Sequence, residues 1–310
     1  MSLGGLSMHA TQWIGMHAPP RLGRGLADLV LRYRYERMAR ERATVARNLS
    51  RVLGLPADDP LVRSATREAF ALYGRYWYET FALRRMSAAE VDRSFRVTGA
   101  EHIDEGLRAG QGVIVALPLM GNWDAAGHWL AIRAYPVVAV AEELRPASVY
   151  ELFYRHRRAL GMQIEPLQKG VGERLARLLR GNHVVALLCD RNIGDRGVTV
   201  DFFGEPASLP AGPALLARLT GAALLPCAVY TADTGWRCRV GAPMDIGANG
   251  GAAGIRETTA RLAGEFERFI AAAPSDWHMF QPLWEADLAA VGPDRGDARA
   301  DTRDAPVGGA

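Results

Sequence analysis

The sequence predicts an α/β fold: a mixed, largely parallel sheet flanked by helices on both sides, preceded by an N-terminal helical region. Three observations carry this. Short β-branched runs alternate with helical stretches from residue 95 onward. Several of those runs are apolar on both faces, as a strand covered by helices on both sides must be. The first 90 residues show only the three- and four-residue apolar spacing of amphipathic helices. A chain of 310 residues can bury a sizeable core, and an α/β fold of this length commonly forms one unit. The expected organisation is a helical membrane-contact region over 1–90, an α/β core over 91–290 and a tail over 291–310.

Taken in order, apolar residues recur at helical spacing from Leu22 to Leu53 (Leu26, Leu29, Val30, Tyr33) and from Pro60 to Leu83 (Ala69, Tyr73, Tyr76). Strands are expected at 95–97, 112–117, 137–140, 163–165, 184–188 and 222–229. Helices are expected at 101–109, 122–133, 147–160, 171–180, 211–220 and 254–272. The tail from Gly292 is rich in Gly, Pro and Asp with nothing to bury, so disorder is expected there.

Composition narrows the function. Apolar residues make up 49% and charged residues 23%, which is ordinary for a globular protein, and no stretch approaches the roughly 20 apolar residues that cross a bilayer. Met1 to Pro20 lacks the ordered regions of a secretory signal, so a cytoplasmic location is expected. Cys189, Cys227 and Cys238 are too few and too irregularly spaced for a disulfide framework or zinc site, and read as reduced, mostly buried thiols. Net charge is only +3, yet Arg21, Arg24, Arg32, Arg34, Arg37, Arg40, Arg42, Arg47 and Arg51 face only Asp28, Glu36 and Glu41 in the same stretch. A basic, partly apolar helical region of this kind suits the inner face of an anionic membrane, or is a solvated helix face; nucleic acid is not expected.

Three segments place polar groups where ligands bind. Leu117-Pro118-Leu119-Met120-Gly121-Asn122-Trp123-Asp124 leaves an apolar strand and opens a helix, the privileged position at a strand's carboxyl end, or a plain junction capped by Asn122. Cys189-Asp190-Arg191-Asn192 follows the strand at 184–188, as site residues or as a buried structural Asp–Arg pair. The run from Gly197 through Phe202-Phe203-Gly204-Glu205-Pro206 to Ala207 sets turns around an aromatic pair, a binding wall or a packed hairpin.

These segments carry a resemblance. LPLMGNWDAAG, LLCDRNIGDRGVTVDFFGEPASLPAGPALLARLTGAALLP and SDWHMFQPLWEAD together resemble the bacterial lipid A and phosphatidylinositol mannoside acyltransferases, the latter more closely, from about Leu22 to about Asp287. The resemblance implies a glycerolipid-acyltransferase-like fold, lipid biosynthesis as the setting, and peripheral attachment to the cell membrane. It implies transfer of an acyl group from acyl-CoA or acyl carrier protein to a lipid hydroxyl, with no bound cofactor and no metal. Enzymes of that family use a His as base and an acidic residue five positions on to orient it.

Carried over by position, the acid is Asp124, a second acidic residue is Asp190 where the mannoside enzymes usually have Glu, and a site arginine is Arg157. The His falls at Leu119, which cannot accept a proton. Three consequences are open. The acceptor is an amine-type nucleophile that attacks a thioester without prior deprotonation; or a relocated base serves, His128 at i+4 from Asp124 first, His156 less so, with His278 structural; or the chain is a catalytically inactive homologue that binds a lipid or an acyl carrier. Asp124, Asp190, Arg157 and His128 are thus the candidate catalytic residues. Leu119, Asn122, Trp123, Arg191, Arg158, Phe202 and Phe203 are candidate substrate contacts, with Arg155, Arg157 and Arg158 as a phosphate clamp or a solvated face.

Overall fold

A computed structural model describes residues 15–17, 35–142, 146–193, 197–247 and 251–290. The helix expected from Leu22 is described only from Tyr35 onward, and the tail from Gly292 lies outside the described residues, as do Arg21, Arg24, Arg32 and Arg34.

Among the described residues, helical stretches at 15–17 and 35–37 precede α1 (Ala39–Leu53), which is followed by α2 (Pro60–Ala82) and the short α3 (Ala88–Ser94). Pro60 stands at the first turn of α2, where its missing N–H costs nothing, and Asp59 caps it by accepting from the Leu61 N–H. Strands and helices then alternate: β1 (Phe95–Thr98), α4 (Ala100–Arg108), β2 (Val113–Leu117), α5 (Trp123–Ile132), β3 (Val137–Ala141), α6 (Ala147–Ala159), β4 (Gln163–Pro166), α7 (Val171–Arg180) and β5 (Val184–Leu188). A hairpin, β6 (Gly197–Phe202) and β7 (Glu205–Pro210), leads to α8 (Gly212–Thr220), β8 (Ala223–Thr231), β9 (Trp236–Val240), α9 (Gly251–Ala272) and α10 (Glu285–Ala290).

Seven strands form one sheet in the order β1-β9-β8-β2-β5-β3-β4. All neighbours are parallel except β8 and β9, joined antiparallel in a hairpin with Val229 opposite Cys238. The mixed, largely parallel sheet is as expected, and β9 is an addition to the expected strands. Its residues alternate buried Trp236, Cys238 and Val240 with exposed Arg237 and Arg239, the period-two pattern of a strand with one covered face.

β2 is central, and all five of its residues are buried. Ile114 and Ala116 belong to the core cluster that includes Leu175 and Leu179 of α7, Leu216 of α8 and Phe266 of α9, whereas Val113, Val115 and Leu117 pack with Ile103 of α4 and Ala125 and Trp129 of α5. Helices therefore cover both faces, which is why β2 reads as a continuous apolar run.

The run around Phe202-Phe203 is a hairpin. Phe203 and Gly204 hold φ of 52° and 79°, positive at both central positions, as a two-residue turn matched to strand twist requires. The chain from Pro274 to Trp284 then ties the helices to the sheet: Asn48 of α1 donates to the carbonyls of Met279 and Gln281, and Trp284 donates its indole N–H to the Phe202 carbonyl.

Candidate active site

The turn from β2 into α5 is built from both of its ends. Gly121 has φ of 61°, and a Cβ there would lie 2.1 Å from the Val229 carbonyl oxygen of β8, so only glycine passes this close. Asn122 then caps α5, its Oδ1 accepting from the Ala125 N–H at 2.9 Å. Asp124 falls in the first helical turn, where an acid is favoured by the helix dipole.

Asp124 is 1% exposed and carries three contacts. Arg157 of α6 donates through Nε to Oδ1 at 2.7 Å and through Nη2 to Oδ2 at 3.3 Å, and the Tyr76 hydroxyl of α2 donates to Oδ2 at 2.8 Å. Burial alone would raise the carboxyl, but the Arg157 charge and these hydrogen bonds hold Asp124 below the usual carboxylate range. The same burial, with the Asp124 charge beside it, pushes the Tyr76 hydroxyl well up, so Tyr76 remains a donor.

Asp190 does something different. Its Oδ2 accepts from the Trp277 indole at 2.7 Å and from the Leu119 backbone N–H at 2.9 Å. Burial raises its carboxyl, and the two donors only partly oppose this. The His278 N–H donates to the Leu119 carbonyl at 2.7 Å, and the Gly121 N–H donates to the Asp276 carbonyl at 3.0 Å. Asp190, Trp277 and His278 thus clamp the turn that presents Asn122, Trp123 and Asp124. His278 Nε2 lies 3.1 Å from the Gly121 carbonyl, which can only accept, so Nε2 carries the proton and Nδ1 is bare. Burial pushes this ring down to about 3 despite that carbonyl, and pushes His156 down to about 4 despite the nearby Asp124 charge.

An apolar cavity runs from Asp124, Arg157 and Trp123 beneath α5 and across the sheet. Phe95 and Val97 of β1, Cys238 and Val240 of β9, Val115 and Leu117 of β2 and Ala186 and Leu188 of β5 line it, with Gly127 and Trp129 of α5 above. Its free space is about 70 Å³, a narrow channel. Asp124 and Arg157 are the charged residues in its wall. Two buried donors on the turn have no partner, Asn122 Nδ2 and the Trp123 indole N–H.

The other expected site residues lie in varied surroundings. His128 places Nδ1 2.8 Å from the Leu160 carbonyl, while the Asp124 oxygens are taken by Arg157 and Tyr76. Arg191 binds Gln281 and Glu142. Arg158 is exposed, its guanidinium over the Tyr154 ring, and Arg155 pairs with Glu151. Of the three arginines expected as a clamp, Arg157 alone turns inward. Phe202 is fully enclosed, stacked on Trp284 and edge-on to Trp277; Phe203 is half-buried at the hairpin turn. Tyr76 and Trp277 were not among the expected site residues. The Tyr73/Tyr76 spacing marks a buried helix face, but no local signal pairs one of its hydroxyls with a carboxylate 48 positions on.

Residues 4–286 match the family described as bacterial lipid A biosynthesis acyltransferase. The chain belongs to that family. It is 41% identical over 292 residues to the phosphatidylinositol mannoside acyltransferase of Mycobacterium tuberculosis, covering 91% of this chain and 89% of that protein. It is likewise 41% identical over 246 residues to the protein of that name in Mycolicibacterium smegmatis, covering 78% and 79%. The lipid A biosynthesis acyltransferase of Haemophilus influenzae is 24% identical over 212 residues, covering 67% and 64%. Membership in the lipid A acyltransferase family makes acyl transfer from a coenzyme A or carrier-protein thioester the family-level activity, in lipid biosynthesis. Among the described residues no helix is long and apolar enough to cross a membrane.

Proposed function

We propose that this chain transfers an acyl group from a thioester of coenzyme A or acyl carrier protein to an acceptor whose nucleophile needs no dedicated base, an amine-type group. One observation carries the reading: an apolar channel across the sheet that meets a single buried ion pair, Asp124–Arg157, at the turn following β2. The acyl chain fills the channel, and the flexible Met162 thioether in its wall yields as the chain enters. The unpartnered N–H groups of Asn122 and Trp123 serve the thioester carbonyl oxygen, where negative charge develops during attack. The acceptor nitrogen bonds to the carbonyl carbon, the C–S bond breaks, and the amine proton leaves with the thiol. Asp124 and Arg157 fix the turn and its charge, and Asp190 holds Leu119, the position where the family's His is expected.

The names of the mycobacterial relatives support a glycolipid hydroxyl as the alternative acceptor. Leucine at 119 argues against it, because general-base catalysis contributes about 10² to 10⁴ in rate. Both Asp124 oxygens already accept hydrogen bonds within the fold, which favours a second reading, a binding protein for a lipid or an acyl carrier that has lost turnover. Contact with the inner face of the membrane rests on the N-terminal arginines; of these Arg51 is turned inward to Asp287 and Glu205 and does not serve it.

The deciding experiment follows free CoA released from acyl-CoA donors, with either a glycolipid alcohol or a set of amines and hydroxylamines, in the unmodified chain and in Leu119→His. Turnover on amines by the unmodified chain is expected. Silence on every acceptor, with Leu119→His active on the glycolipid, would replace this reading by the binding protein.

A further inference from the structure

A second concavity, of about 500 Å³, lies on the other face of the sheet. Cys238 and Val240 of β9 point into the apolar channel, and Arg239 between them points the opposite way. There it meets Arg261, Glu265, Arg268 and Phe269 of α9 and Asp245. Pro226, Pro243 and Met244 complete an apolar floor.

The charges in this wall are unevenly satisfied. Glu265 pairs with Arg268, three residues on. Asp245 accepts from the Gly247 N–H through Oδ1. Arg239 lies with its guanidinium over the Phe269 ring. Arg261 has buried Nε and Nη2 donors with no hydrogen-bond partner. Those two nitrogens form one edge of the guanidinium, the edge that Arg157 uses to grip both oxygens of Asp124. An unmet pair of buried charged donors is costly and calls for an anion with two oxygens spaced like those of a carboxylate or phosphate. Three guanidiniums against two carboxylates leave the wall positive, and an apolar floor beside them suits a body attached to that anion.

We propose that the concavity walled by Arg239, Arg261 and Arg268 binds a phosphate group carried on an apolar or ring-bearing body, apart from the acyl-transfer site. A phospholipid headgroup and a soluble phosphate ester share this chemistry.

The test uses the full chain and calorimetric titration with inorganic phosphate and with adenosine 5′-monophosphate, alongside flotation with vesicles of phosphatidylglycerol in phosphatidylcholine and of phosphatidylcholine alone. Saturable binding of both soluble probes is expected, weakened about tenfold or more by Arg261→Gln. Arg239→Gln and Arg268→Gln, both at exposed positions, should weaken it in chains whose melting is unchanged. Arg256→Gln, exposed on the same helix, should leave it intact. If the same variants also reduce flotation on anionic vesicles, the source is a headgroup; if flotation is unaffected while soluble binding is lost, it is a soluble ester. Absence of saturable binding, or binding that survives all three pocket variants, would overturn the proposal.

Discussion

Asp124 and Arg157 are each nearly inaccessible to solvent, and their pairing decides what substitution does. Removing one member strands the other in a medium of low polarity, so Arg157→Met should cost about 3–5 kcal/mol in urea unfolding, and Asp124→Leu combined with it should recover much of that loss. The buried histidines add a pH dependence. His156 and His278 are pushed down to about 4 and about 3, below the ordinary value of 6.5. Depressed folded values mean that the unfolded chain binds protons first as pH falls. Their contribution is fully present above about 6.5 and is lost progressively below it, about 2 kcal/mol each at pH 5. Denaturation midpoints measured from pH 7 to 5 should therefore fall less steeply in His156→Phe, which keeps the edge contact with Phe81. An unchanged slope would mean that His156 is not the titrating group.

At the scale of elements, the unit that presents the site is β2, the turn, α5 and the segment that clamps it. The strand at 112–117, the turn and the helix at 122–133 are legible because an apolar run, a glycine and an Asn cap stand in sequence, each with a local reason. The clamp is not, since Asp190 and Trp277 meet 87 positions apart. Gly121→Ala would press a methyl against the Val229 carbonyl in a backbone conformation alanine avoids, and thermal melting should show a loss of several kcal/mol together with lost acyl transfer. Gly127→Ala is a subtler test. Its methyl would meet the Met162 sulfur at 2.3 Å in the channel wall, so that the methyl and the displaced thioether narrow the space proposed for the acyl chain. Donor preference should shift towards shorter acyl chains, read as the ratio of kcat/KM for long and short acyl-CoA; an unchanged ratio would remove the channel as the acyl site.

For the whole molecule, the residues from Pro274 to Trp284 act as a strap. They hold α1 through Asn48, the turn between β2 and α5 through Trp277 and His278, and the β6–β7 hairpin through Trp284. Arg51 adds ion pairs from α1 to Asp287 and Glu205 and lies over the Trp284 ring. Asn48→Ala removes both donors to the strap and leaves two carbonyls without them, a loss of about 1–3 kcal/mol. Hydrogen exchange should then quicken in both α1 and the turn at 118–122, far apart in sequence; quickening confined to α1 would show that the strap does not couple them.

The sequence by itself determined the order and type of the core elements other than β9, because short apolar runs and helical apolar spacing are local properties of the chain. It also placed Asp124 and Asp190 at strand ends, where a parallel sheet gathers polar groups. Its silence on β9 reflects Arg237 and Arg239, which break up the apolar run. Only the tertiary structure decided the strand order, the enclosure of Phe202, and the roles of the two acids: Asp124 held by Tyr76 and Arg157, Asp190 used to fix a backbone turn. Both are carboxylates after a strand, and what separates them is which donors the packing of α2, α6 and the strap brings within 3 Å. Such pairings arise between residues remote in sequence, where no local pattern records them.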